Sequence, residues 1–303
     1  MVRRGHGEPM KLSTVILPIY RWPEAKRIWQ RAEQLGFHAG YTYDHLTWRS
    51  FVDSPWFGAI PTLTAAATAT ATMRVGTLVA SPNFRHPVPF AKELMTLDDI
   101  SSGRLTLGIG AGGTGFDAQA LGQRPWTPSE RADHLRDFVA VLDATLRQPE
   151  TSMTTEHYAA VDARALPGCV QQPRVPFYVA ATGLRGLALA AKYADGWITY
   201  GDARDPAAPT PQEAPHVVAG QLARLEEACE REGRQVPHRL YLEGSSSEKP
   251  LESVGKFVDW AGRYAEIGIT ELVVHWPVPD SVYSADQAIF EQIATDGLSQ
   301  LDH

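Results

Sequence analysis

The chain has 303 residues, of which 44% are hydrophobic and 21% charged, and a formal net charge of -7. That supports a large core. It offers no basic run for nucleic acid, no polybasic helix for a membrane surface, and no apolar run beyond strand length. Two cysteines, Cys169 and Cys229, stand far apart without a C-x-x-C, which excludes a cysteine metal cluster and fits a reduced, cytoplasmic setting.

The opening "MVRRGHGEPM" has arginines but no apolar stretch after them, so it is not a signal peptide. Residues 1–9 are expected to form an unstructured extension, and residues 10–303 a single domain. Thereafter strand-like and helix-period segments alternate. "LSTVILP" (12–18) predicts a strand and "EAKRIWQRAEQL" (24–35) a helix closed by Gly36. "HAGYTY" (38–43) is a strand, 56–71 an Ala-rich helix, "RVGTLVAS" (74–81) a strand and 88–101 a helix. "RLTLGIG" (104–110) is a strand, followed by a long polar stretch and a helix over 129–147. Segment 148–173 breaks the rhythm with turn residues and reads as an insertion holding a short hairpin. Strands over 175–181, 196–201, 238–244 and 270–277 then alternate with helices over 184–194, 216–233, 253–268 and 285–299.

Eight apolar strands, each followed by a helix, imply a parallel sheet covered on both sides. Eight such units in one chain of this length predict a (β/α)8 TIM barrel, with the insertion lying between the fourth strand–helix unit and the fifth strand. A doubly wound sheet is the rival and would more usually stop at five to seven strands.

In such a barrel the site lies at the strand C-termini. The residues there are Pro18 and Tyr20; Tyr43, Asp44 and His45; Ala80, Ser81, Asn83 and Arg85; Gly110 to Gly115; Ala181, Thr182 and Gly183; Tyr200; Glu243; His275 and Trp276. This rim is aromatic, with few charges, and suits a planar cofactor better than a sugar or a metal. His45, in "YTYDHLTWR", can exchange a proton near neutral pH, or it is a hydrogen-bonded loop histidine. Asp44 beside it points elsewhere, for instance to cap the following turn. At "TGLRG" (182–186) the free N–H groups of a helix start attract an anion, or Thr182 simply caps the helix. Arg85 and His86 face the mouth or lie on the surface.

"LTLGIGAGGTG" (105–115) contains G-x-G-x-x-G twice. A dinucleotide fingerprint needs a helix at once and an acid at the end of the next strand. Here "FDAQALGQRPWTP" follows, with no helix signal and no such acid, so the glycines are not read as a nicotinamide site.

Several segments together resemble the luciferase-like flavin-dependent oxidoreductases. They are "TLVASPNFRHPVPFAKELMTLDDISSGRLTLGIGAG" (77–112), "EQLGFHAGYTYDHLTWR" (33–49), "PFYVAATGLRGLALAAKYADGWI" (176–198) and "ELVVHWP" (271–277). The resemblance runs over nearly all of residues 11–300. It implies a barrel with an insertion and a flavin or deazaflavin at the strand C-termini. His45 falls on the family's ring-facing acid/base histidine. Thr182, Gly183 and Leu184 fall on its phosphate turn. Ala80 and Ser81 fall on a third-strand bulge, where the family often has a non-proline cis peptide. Gly110, Ala111, Gly112 and Gly113 fall on the loop beside the ring, and Asp44 and Asn83 join the expected cofactor contacts. "YDH" and "SPNFRHP" resemble the branch that uses coenzyme F420, with FMN the alternative, since "GAGGTGFD" departs from the "GTGE" of many deazaflavin members. The implied activity is hydride transfer to or from a small organic molecule. Tyr20, Trp48, Trp56, His275 and Trp276 shape the substrate pocket, no metal takes part, and neither nucleic acid nor a membrane is a partner. A reduced-FMN monooxygenase and a flavin-binding protein without turnover are the other readings. The family often dimerises, which admits a homodimer.

Overall fold

The computed structural model describes residues 9–113, 115–201, 210–243 and 248–300; of the expected extension over 1–9, Pro9 alone falls among them. Ten strands run along the described residues: β1 (Lys11–Val15), β2 (Ala39–Thr42), β3 (Arg74–Ala80), β4 (Leu105–Ile109), β5 (Glu150–Thr154), β6 (Ala159–Arg164), β7 (Phe177–Ala180), β8 (Gly196–Thr199), β9 (His238–Leu242) and β10 (Glu271–His275). Eight close into a parallel barrel in the order β1-β10-β9-β8-β7-β4-β3-β2. β5 and β6 form an antiparallel hairpin outside it, which is the insertion expected over 148–173.

The helices are α1 (Trp22–Gln34), α2 (Ala59–Ala69), α3 (Pro87–Ile100), α4 (Phe116–Ala120), α5 (Pro128–Arg147), α6 (Leu184–Tyr193), α7 (Ala214–Glu232), α8 (Val254–Glu266) and α9 (Gln287–Gln292). Local chemistry sets their ends. Pro23 opens α1, and Gly36 behind it adopts φ +85°. Thr127 and Glu130 form a reciprocal capping box on α5. α9 is shorter than the helix expected over 285–299, because the chain passes into a π turn at Ile293–Gly297. α4 falls in the stretch read as polar loop, so a helix does follow the glycine segment directly. It has five residues and starts from Gly115 at φ +100°.

Two apolar layers result. Val15, Tyr41, Leu78, Ile198, Leu240 and Val273 fill the barrel, while Trp29, Phe90, Phe138 and Trp260 pack between barrel and helices. The hairpin is tied to α5 through His157 Nδ1 and Asp137 Oδ2, 2.8 Å apart. No helix of the described residues is long and apolar enough to cross a membrane.

A charged network plugs the N-terminal end of the barrel. Glu271 is fully buried and accepts from Ser13 Oγ at 2.6 Å and Tyr41 OH at 3.1 Å, with His238 Nε2 2.7 Å away. Burial alone would raise this carboxyl; the bonds from His238 and Ser13 outweigh it and hold it below the ordinary carboxylate range. A group lowered in the folded state stabilises above its unfolded pKa, and that stability is lost as pH falls through the folded value. Glu271→Gln should therefore cost about 1–3 kcal/mol at neutral pH. In urea unfolding the gap to wild type should shrink below about pH 4; a gap constant with pH would refute this account.

Candidate active site

The strand C-termini meet at one end, and β3 arrives there irregularly. Its pairing with β4 shifts between Thr77 and Ala80, around a cis peptide at Leu78–Val79. That lies just before the Ala80–Ser81 position expected for it. Beyond it Ala80 and Ser81 are buried, and Ser81 Oγ is a sealed hydroxyl without a hydrogen-bond partner.

β4 runs alongside closely. A Cβ on Gly108 would stand 2.1 Å from the Thr77 carbonyl oxygen, so only glycine allows this approach. Past the strand, Gly112 takes φ +78°, and a Cβ there would fall 2.2 Å from Asn83 Nδ2. Gly110 faces Val79 and Ala180, whereas Gly113 has only Trp48 within 4.0 Å. The glycines thus lower the backbone between β3 and β7 and leave a shallow seat over it. Ala111 packs partly buried at its edge.

His45 lies just past β2, its side chain 10% exposed. Its Nδ1 is 2.8 Å from Asp117 Oδ2, and Asp117 Oδ1 accepts the Leu46 N–H at 2.8 Å. Asp117 is 2% exposed and sits in the first turn of α4. A carboxylate accepting two N–H groups leaves the Nδ1 hydrogen in place and turns Nε2 away from it. Trp48 stacks on the imidazole at 4.5 Å, and Trp56 Nε1 donates to the His45 carbonyl at 2.8 Å. The Asp117 contact favours the Nδ1–H tautomer, the Trp48 stack fixes the ring plane, and the Trp56 bond holds the backbone.

Asp44 is placed otherwise than expected. Arg85 grips both its oxygens at 2.6 and 2.8 Å and also reaches Glu93 at 2.8 Å. With both oxygens bound by Arg85, Asp44 braces the β2–α2 loop against the β3–α3 loop. Arg85 lies inward over the Phe90 ring at 4.4 Å, and His86 accepts from Val88 N at the start of α3. Asn83 reaches Asp117 at 3.5 Å.

At β7, Thr182 does not cap α6; Gly183 holds that position with no side-chain cap. A Cβ on Gly183 would meet no atom within 4 Å, and Leu184 is 71% exposed. With no side-chain cap, the first N–H groups of α6 keep the positive end of the helix that attracts anions.

Two expected pocket residues belong elsewhere. Trp276 packs edge-on against Phe290 at 5.1 Å in the outer layer, and Tyr20 also joins that layer. Side chains alternate along a strand, so His275 turns into the mouth and Trp276 turns out. Trp48 and Trp56 do pack against the inner layer, with Tyr283 and Ile19. Tyr43 OH lies 2.7 Å from His275 Nε2, and Tyr283 stacks on His275 at 4.1 Å. Asp117 and Tyr283 escaped the sequence reading, since both follow the strands by several residues. The one signal for Asp117 was an acid in the turn after the glycines. The His/Asp/Glu trio among the described residues whose ligand atoms lie within 4.8 Å of one another, Asp137–Glu156–His157, sits on α5 and the hairpin, away from the strand tips.

Residues 4–245 match the luciferase-like monooxygenase family. The chain belongs to that family. An F420-dependent glucose-6-phosphate dehydrogenase of Beutenbergia cavernae is 36% identical over 57% of this chain and 52% of its own length, so the match spans about half of that relative. An uncharacterized protein of Mycobacterium tuberculosis is 31% identical over 77% of this chain and 72% of its own. Among solved structures, a coenzyme F420-dependent tetrahydromethanopterin reductase from Methanopyrus kandleri superposes with a TM-score of 0.75, at 18% identity, over 97% of this chain and 100% of its own. That structure shares the barrel fold.

Proposed function

We propose that this family member is an F420-dependent oxidoreductase that moves a hydride between the deazaflavin and a small organic molecule, with His45 exchanging the accompanying proton. The likeness to F420-dependent relatives supports the cofactor. The observation that carries the proton role is His45 anchored through Nδ1 to buried Asp117, with Nε2 left for the mouth.

The seat fits such a group. Ser81 supplies a buried hydroxyl without a partner, Gly110, Gly112 and Gly113 keep the backbone low, and Gly183 with Leu184 opens the start of α6 to a phosphate. When bound there, the deazaflavin supplies two-electron hydride chemistry. Trp48 and Trp56 line an apolar mouth, which excludes water from the reacting atoms. In the oxidising direction the substrate C–H bond breaks and its electron pair leaves as hydride. The hydroxyl proton passes to His45 Nε2, and a carbonyl forms. In reverse, the imidazolium returns that proton.

Titration of the purified protein with F420 and, separately, with FMN, followed by fluorescence, tests the cofactor. Saturable F420 binding at least about tenfold tighter than FMN binding, a difference of about 1.4 kcal/mol, is expected. Tighter FMN binding together with oxygen consumption on FMNH2 would point instead to a monooxygenase.

A further inference from the structure

A second histidine lies at the same end of the barrel as His45, one strand away, since β2 and β10 both flank β1. His275 ends β10, its side chain 6% exposed, under the stacked ring of Tyr283. Tyr43 is buried beside it, with its hydroxyl 2.7 Å from Nε2. Burial, then the Tyr283 phenol, raises the Tyr43 phenol well above its ordinary value, so it stays protonated and is able to donate to Nε2. In the tautomer in which Nε2 accepts from Tyr43, the His275 hydrogen sits on Nδ1. That nitrogen faces Glu243 Oε2 at 4.0 Å, and Glu243 is 20% exposed at the tip of β9. The separation is too long for a hydrogen bond, and among the described residues Nδ1 makes none. One oxygen about 2.8 Å from both atoms would close the gap at roughly a right angle.

We infer that this gap is a subsite for a neutral substrate hydroxyl remote from the reacting carbon, accepting from His275 Nδ1–H and donating to Glu243. The Glu243 carboxylate repels an anion at the same place. Tyr43 packs against both histidines, its ring 6.4 Å from that of His45 and 5.8 Å from that of His275. The proposed substrate therefore carries its second hydroxyl apart from the carbon that reacts at His45. The subsite rests on the oxidoreductase reading for its purpose but not for its chemistry. It assigns the substrate to the neutral diols, polyols or hydroxy ketones.

The probes are hexan-2-ol and hexane-1,5-diol, which share one secondary carbinol and differ in a remote hydroxyl. Their dissociation constants, from quenching of tryptophan fluorescence with F420 present, are expected to favour the diol by about tenfold, the worth of a bond to a charged group. Glu243→Ala and His275→Phe should each bring the ratio close to one; the first covers the case in which the second does not fold. Equal constants in the wild type, or a preference retained in Glu243→Ala, would overturn the subsite. The ratio of kcat/KM values reads the same comparison. A binding preference without turnover of either alcohol would count against the oxidoreductase reading and leave the subsite standing.

Discussion

Replacing His45 with alanine is expected to lower kcat by about 10²–10⁴-fold, the usual worth of a positioned acid or base. Binding of F420 should stay within about twofold, a few tenths of a kcal/mol. The reason lies in how the imidazole is held. Its Nδ1 contact and its stack on Trp48 orient the ring, the Trp56 bond holds its backbone, and the imidazole itself is not among the groups that meet the glycines or the α6 turn. Truncation leaves Trp56 its backbone acceptor and Leu46 its bond to Asp117. The loop should keep its path. Single-turnover rates set beside F420 titration make the test, and unchanged turnover would remove His45 from the chemistry.

Asp117→Asn should cost about 10–10⁴-fold in kcat, through the tautomer of His45. The carboxylate offers one oxygen to Leu46 N–H and the other to His45 Nδ1. An amide has a single oxygen. If that oxygen stays with Leu46, an NH2 group faces Nδ1, which must then accept, and the ring hydrogen moves to Nε2. The base in the mouth becomes a donor while the fold is unchanged. Nitrogen-15 spectra of the His45 ring should show the hydrogen exchanged between the two nitrogens. Lost activity with the wild-type tautomer would mean that Asp117 acts through the loop alone.

Much of this was legible along the chain. Eight apolar runs separated by amphipathic helices specify the barrel, because periodicity and burial are properties of contiguous residues. His45, Ser81, the glycines and the Thr182–Leu184 turn fall at the mouth because each follows a strand end within four residues. Residues farther along the loops are harder. Asp117 stands eight positions beyond β4 within an unexpected helix, and Tyr283 lies in the loop after β10. For Trp276 and Tyr20, proximity to a strand end is the sole sign of a pocket role. Near a strand end a one-residue step turns the side chain from the mouth to the outer layer. Asp44 shows a different limit: that it faces Arg85, 41 residues away, depends on how two loops pack.

The sequence by itself determined the order of strands and helices, the hairpin between the fourth and fifth barrel strands, and the glycines that end the fourth strand. Those follow from local pattern. Tertiary structure alone decided which strand-tip groups meet. Closing the barrel brings His45 to Asp117 across 72 residues and Tyr43 to His275 across 232. Hydrogen bonds at that separation exist only once the apolar layers have fixed the strands in register.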